Sequence, residues 1–150
     1  MKVSDALISE SELASSLRLS VTRLARRLRQ QASAGAEVSP SQLATLSSVE
    51  RLGPITLGDL AAVEQVQPPT MTRIVAGLEE AGLVSRHIDE RDRRIARVQT
   101  TVAGRKFLER SRGRKDLYLS GRIRTLDAND RAVLARAATI LEKLLEGESQ

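Results

Sequence analysis

Apolar residues recur along this chain at two different periods, and the switch between them organises the reading of the whole sequence. Leu13, Leu17, Val21, Leu24 and Leu28 follow one another at three- and four-residue steps, which predicts an amphipathic helix. Ala34-Gly35-Ala36 breaks it. Ser39-Pro40-Ser41-Gln42 reads as a helix start: a hydroxyl to cap, a proline suited to the first helical position, and a glutamine completing a capping box. Leu43, Leu46 and Val49 carry this second helix to a stop at Gly53-Pro54. Thr56, with Asp59 three residues on, caps a third, short helix whose apolar side is Leu57, Leu60, Ala61 and Val63. After the link Gln65-Val66-Gln67, Pro68 precedes another proline and should avoid helical geometry, which puts Pro69 in the first turn of a fourth helix. Met71, Ile74, Val75 and Leu78 form its buried side, and Gly82 ends it in the left-handed conformation. Two helices joined by so short a link make a helix-turn-helix.

Directly after Gly82 the period falls to two. Leu83 to Ile88 reads as a strand, Asp89-Glu90-Arg91-Asp92-Arg93-Arg94 as a charged turn, and Ile95 to Thr100 as the return strand. A charged hairpin behind a helix-turn-helix predicts a wing. From Thr101 to about Leu126 the chain is helical again, with Val102, Phe107, Leu108, Leu117, Leu119 and Ile123 as apolar positions. Asp127 caps a last helix whose Val133, Leu134, Ala137, Ile140, Leu141, Leu144 and Leu145 form a nearly heptad stripe. The expected fold is mainly α with a small β-hairpin wing, an α+β arrangement. It is one domain over 1–150, with a winged helix-turn-helix lobe at 39–100 flanked by helices at 1–36 and 101–150. The stripes of the terminal helices, with Leu13, Leu17, Leu134, Leu141 and Leu144 at their centre, exceed what one small domain must cover. They predict a homodimer.

Composition narrows the function. The 150 residues are 41% hydrophobic and 29% charged, which suits a globular domain with its own core. There is no cysteine, so disulfides, thiolate catalysis and zinc–thiolate sites are excluded. A single histidine is too few for a histidine metal cage. One Phe, one Tyr and no Trp leave almost no aromatic surface on which unpaired bases could stack. No glycine-rich phosphate loop and no paired nucleophile and base are present, so neither an enzyme, a cofactor nor a metal site is expected. The longest apolar run is four residues, as in Leu60 to Val63, against the ~20 needed to span a bilayer. With no signal-peptide pattern at the N-terminus, a cytoplasmic protein without membrane contact is expected.

The charge map is uneven. The chain carries a net +5. Residues 18–29 hold five arginines, 85–97 five arginines against three acids, and 103–124 eight basic against two acidic residues. The helix-turn-helix itself, 40–84, has two arginines against five acids. Attraction to phosphate must therefore come from the wing, the flanking helices and the helix N-termini capped by Ser39 and Thr56. On the fourth helix, Thr70, Thr72, Arg73, Ala76 and Gly77 face away from the buried set. Small residues and one arginine suit close entry into a major groove, where arginine can bond a guanine edge bidentately and threonine can reach a base or phosphate. Read as plain structure, Thr70 and Thr72 only start a helix. In the wing, Asp89 and Asp92 lie among Arg91, Arg93 and Arg94, which makes the turn a poor cation site. The aspartates are read as holding arginines across the turn while a tip arginine enters a narrow minor groove; a merely solvated turn is the alternative. His87 is read as a packing or hydrogen-bonding residue.

The chain resembles the MarR family of bacterial transcriptional regulators. Pro69-Thr70-Met71-Thr72-Arg73-Ile74-Val75 followed by Leu78-Glu79-Glu80-Ala81-Gly82-Leu83-Val84 is similar to that family's recognition helix running into its wing. Asp89-Glu90-Arg91-Asp92-Arg93-Arg94 is similar to its wing signature, and Thr101 and Gly104 fit its Thr-x-x-Gly start of the next helix. The resemblance implies a triangular homodimer whose terminal helices interlock and whose two lobes face palindromic double-stranded DNA. It also implies a pocket for an anionic or phenolic effector between lobe and dimerisation helices. The expected function is that of a dimeric DNA-binding repressor released by such a ligand. A winged-helix DNA-binding protein without an effector and a winged-helix protein-interaction module are the alternatives. Absent cysteine excludes the thiol-peroxide branch of the family, and Pro68-Pro69 stands where a serine often does.

Overall fold

The computed structural model describes residues 8–35 and 37–146. Ala36, and the ends of the expected flanking segments at 1–7 and 147–150, lie outside the described residues. Helices α1 (Glu10–Ser33) and α2 (Pro40–Leu52) come first, then a two-residue strand β1 (Ile55–Thr56). Helices α3 (Leu57–Val63) and α4 (Pro68–Glu80), strands β2 (Val84–Ile88) and β3 (Ala96–Thr100), and helices α5 (Val102–Ile123) and α6 (Ala128–Glu146) complete the order. The fold is mainly helical with a small antiparallel sheet, as expected from the sequence.

Local chemistry explains most boundaries. Ser39 Oγ accepts from the Gln42 N–H at 3.2 Å and the Ser39 N–H donates to Gln42 Oε1 at 2.8 Å, so α2 starts in a full capping box with Pro40 in the first turn. Thr56 caps α3 through the Asp59 N–H at 3.1 Å. Asp127 Oδ1 accepts from the Asp130 N–H at 2.8 Å at the start of α6. Gly35 and Gly82 both take positive φ, where helices α1 and α4 give way.

Four details differ from the sequence reading. Helix α4 takes in Pro68, which was expected to stay extended, while Pro69 lies in the first turn as expected. The bias of a residue before proline away from helical geometry is a preference, overridden at Pro68, whose own ring already sets a helical φ, and kept at Gln67, which is extended. Helix α5 ends at Ile123, three residues earlier than expected. The wing hairpin is joined by a third strand: the order is β1-β3-β2, with Ile55 opposite Val98 and Thr56 opposite Arg97. Val63 is exposed, and so are Val102 and Leu117, while Ile74 is only half buried against the core.

Two compact units are distinguished, Met1–Lys115 and Asp116–Gln150, with the division inside α5. The core of the first joins Leu46 and Val49 of α2, Leu60 of α3, Met71, Val75 and Leu78 of α4, and Val98 of β3, all essentially inaccessible to solvent. In the second unit α6 buries none of its residues.

Candidate nucleic-acid interface

The two short helices are joined by Glu64 to Gln67, in which Gln65 takes a left-handed φ of 53°. That conformation costs a non-glycine residue roughly 1–2 kcal/mol. The cost is offset by the anchoring around it: Val66 packs against the core, and the Ser48 hydroxyl on α2 donates a hydrogen bond to Glu64 Oε1. Burial of Met71, Val75 and Leu78 then fixes which side of α4 remains open.

Thr72, Arg73 and Ala76 lie on that open side, all exposed. Arg73 has no ion pair or hydrogen bond among the described residues, so its guanidinium is available. The Thr72 hydroxyl is turned back on its own helix and donates to the Pro68 carbonyl at 3.0 Å, leaving it as an acceptor outward. Thr70 is half buried and lines a depression with Ser41, Ala44 and Thr45 of α2. Gly77 does not open to solvent as expected: a Cβ there would collide with the amide of Gln42, so this is where α2 and α4 meet. The start of α4 offers few backbone donors. Pro68 and Pro69 have none, and the N–H groups of Thr70 and Met71 both bond to the Gln67 carbonyl. Ser39 and Thr56 sit at the N-termini of α2 and α3, on two separate elements of the same unit.

In the wing, β2 and β3 pair in the register Val84–Thr100, Ser85–Gln99, Arg86–Val98, His87–Arg97 and Ile88–Ala96. Side chains alternate, so Val84, Val98 and Thr100 turn inward while Ser85, His87, Arg97 and Gln99 share the outer face. Asp89 Oδ1 accepts from the N–H groups of Arg91 at 2.8 Å and Asp92 at 3.2 Å, and its Oδ2 accepts from Arg97 Nε at 3.0 Å. Those bonds, the Arg97 one foremost, hold the Asp89 carboxyl below the ordinary aspartate range. Asp92 receives Arg94 through Nε and Nη2, both at 3.1 Å, together with its N–H at 3.0 Å, and is held low in the same direction. Arg94 is thus fixed in orientation yet remains open to solvent, while Arg91 and Arg93 extend from the turn as exposed side chains. His87 Nε2 takes a hydrogen bond from Gln99 Nε2 at 2.7 Å and lies 3.0 Å from Ser85 Oγ.

Arg97, the partner of Asp89, was not singled out by the sequence reading. The signal was there in the hairpin alternation, which puts it on the same face as Asp89. The links Ser48–Glu64 and Glu79–Arg86 were not legible, because they join elements whose mutual approach only the fold fixes.

The MarR family model matches residues 38–96. An uncharacterized HTH-type transcriptional regulator of Mycobacterium leprae is 36% identical over 140 residues, covering 93% of this chain and 97% of that protein. The HTH-type transcriptional repressor MdtR of Bacillus subtilis is 30% identical over 119 residues, covering 75% of this chain and 77% of its own. A crystal structure of a Pseudomonas aeruginosa protein assigned as a transcriptional regulator aligns with a TM-score of 0.76 at 35% identity, over 91% of this chain and 95% of that one.

Proposed function

This chain belongs to the MarR family of helix-turn-helix transcriptional regulators, and from that premise we propose that it acts as a homodimeric repressor of a palindromic DNA operator, released by a small anionic ligand. It is a DNA-binding regulator, not an enzyme. No helix among the described residues is long and apolar enough to cross a membrane.

The observation that carries the DNA reading is the exposed row Thr72, Arg73 and Ala76 on α4, standing beside a wing whose aspartates orient its arginines. The row enters the major groove, with Arg73 on a base edge. Arg91, Arg93 and Arg94 reach the backbone or minor groove, Asp89 and Asp92 structure the wing, and Ser39 and Thr56 meet phosphate at helix N-termini, with Thr70 at the margin. Two-fold symmetry then requires an inverted repeat with half-sites about one helical turn apart. Selection of bound duplexes from a random-sequence pool tests this, and the recovered sequences should be palindromic. Arg73→Ala should cost roughly 1–3 kcal/mol on the selected duplex and relax its sequence preference. An equal loss on selected and shuffled DNA would make Arg73 a phosphate contact instead.

The effector reading is supported by a cavity of about 290 Å³ between α2 and α5, lined by Ser47, Glu50, Arg51, Leu108, Ser111, Arg112 and Lys115. Arg51, Arg112 and Lys115 against the single acid Glu50 suit an anion, and Ser111 Oγ, fully buried, has no hydrogen-bond partner among the described residues. Linkage demands that a ligand weakening DNA binding also bind the DNA complex less tightly, by the same factor. Salicylate titrated into free protein and into the complex should show that difference; equal affinities would remove it as an effector.

A further inference from the structure

Five acids in residues 40–84 are an awkward complement for a lobe that grips phosphate, and one of them stands on the recognition helix where it meets the wing. Glu79 Oε2 lies 3.1 Å from Arg86 Nε. Of the ion pairs among the described residues, this is the one that joins α4 to the sheet; the other two lie within the wing. Building on the DNA-binding reading above, we propose that the Glu79–Arg86 pair is a strut that sets the angle of the wing against the recognition helix. Both are then positioning residues for simultaneous engagement of groove and wing contacts.

The attachment of the wing shows why a strut is needed. Its root is a turn at Gly82, held by three bonds: the Leu83 N–H to the Leu78 carbonyl at 2.9 Å, the Thr101 hydroxyl to the Gly82 carbonyl at 2.6 Å, and the Thr101 N–H to the Leu83 carbonyl at 3.0 Å. Burial stops just beyond. Val84 is buried and Ser85 half buried, whereas Arg86, His87 and Ile88 are exposed. The sheet order leaves β3 braced by β1 on one side, with β2 as the free edge. Strand alternation puts Arg86 on the face it shares with Val84 and Val98, the face turned inward, and from there it reaches Glu79.

The root and the β1 brace on β3 hold the inner end of the hairpin, and the Glu79–Arg86 pair adds a fixed point on β2, the strand without a brace of its own. The tip lies roughly 20 Å from Val84, at about 3.3 Å per residue. A swing of about 10° would carry Arg91 and Arg93 roughly 3 Å, more than a hydrogen bond tolerates. The pair is partly exposed, so it adds little to stability. Its effect lies in geometry.

Glu79→Gln gives a test in which the sign decides. Removing a negative charge from the interface should, by electrostatics alone, tighten binding to any duplex. The strut predicts the opposite on the duplex recovered by selection: at least fivefold weaker binding, and a salt slope lower by about one unit as wing contacts lapse. A shuffled duplex of the same composition should be bound no less tightly than by the wild type. The charge-reversed double variant, Glu79→Arg with Arg86→Glu, should recover the selected duplex to within about twofold while each single reversal does not. Independently of DNA, the Arg86 Nε–H should give a slowly exchanging NMR signal in the free wild-type protein that is lost in Glu79→Gln. Tighter or unchanged binding by Glu79→Gln, a double variant as weak as the product of the singles, or a missing Arg86 signal in the wild type would each overturn the strut. A wild-type protein with no preference for the selected duplex would instead bring down the DNA reading, and the strut with it.

Discussion

Gly104 shows how much of the lobe's geometry hangs on one absent side chain. A Cβ at this position would collide with the Leu83 carbonyl oxygen and the Thr100 methyl. The same Leu83 carbonyl accepts the Thr101 N–H at 3.0 Å, and Thr101 Oγ1 accepts the Gly104 N–H at 3.0 Å. The glycine therefore lets the first turn of α5 press onto the chain just where the wing begins. Helix propensity favours Gly104→Ala by about 1 kcal/mol, but the collision is with backbone, which cannot rotate away. Overpacking costs of this kind run to roughly 1–3 kcal/mol or more. Gly104→Ala should therefore lower the denaturation midpoint despite the better propensity. A raised midpoint would mean that α5 can slide off Leu83 without loss.

The wing is the element whose order depends on titratable groups. Asp89 and Asp92 are held below the ordinary aspartate value of 3.8 by arginine and backbone N–H donors. A carboxylate whose pKa is lower folded than unfolded stabilises fully above its unfolded value, and that contribution fades as pH falls through the folded one. Amide protection of Arg91 and Arg94 should thus be constant from pH 8 to 5 and drop below about pH 4. Asp89→Ala should lose the protection of Arg91 at every pH; in the wild type, protection at pH 3 equal to that at pH 6 would show that the turn is ordered by something else. How legible each element was follows from the reach of its signals. Helices α2, α3 and α4 could be read because Ser39, Thr56, Gly53 and Gly82 act within a few residues of themselves. The two residues of β1 carry no period, and their partner β3 lies some forty residues on, so nothing local marks them. The aspartates of the wing were readable as arginine holders, but Arg97 needed the hairpin register. Glu79 could not be given a partner at all until α4 and β2 were placed side by side.

At the scale of the molecule, the described chain leaves two helices with apolar faces uncovered. On α1, Leu13, Leu17, Val21 and Leu24 are exposed, and burial begins only with Ala32 at its end. On α6 nothing is buried, and Leu134, Ile140, Leu144 and Leu145 are each about half exposed or more. Contiguous apolar faces of this extent mark association sites, and in proteins most helical stability comes from packing an amphipathic face. A second copy would supply matching faces through a two-fold axis, as homodimers do. The protein should therefore scatter as about twice 16.4 kDa at low micromolar concentration. Leu144 gives the sharper check, because the residue is 61% exposed in the single chain. If the chain works alone, Leu144→Ala should leave stability within about 0.5 kcal/mol of the wild type. If α6 packs in a dimer, the same change should lower the melting temperature, and both proteins should melt higher as concentration rises. Leu141→Lys or Leu144→Lys should go further and split or unfold the dimer by burying an unpaired charge. A melting temperature independent of concentration, with Leu144→Ala indistinguishable from wild type, would show that these helices are covered by no second copy.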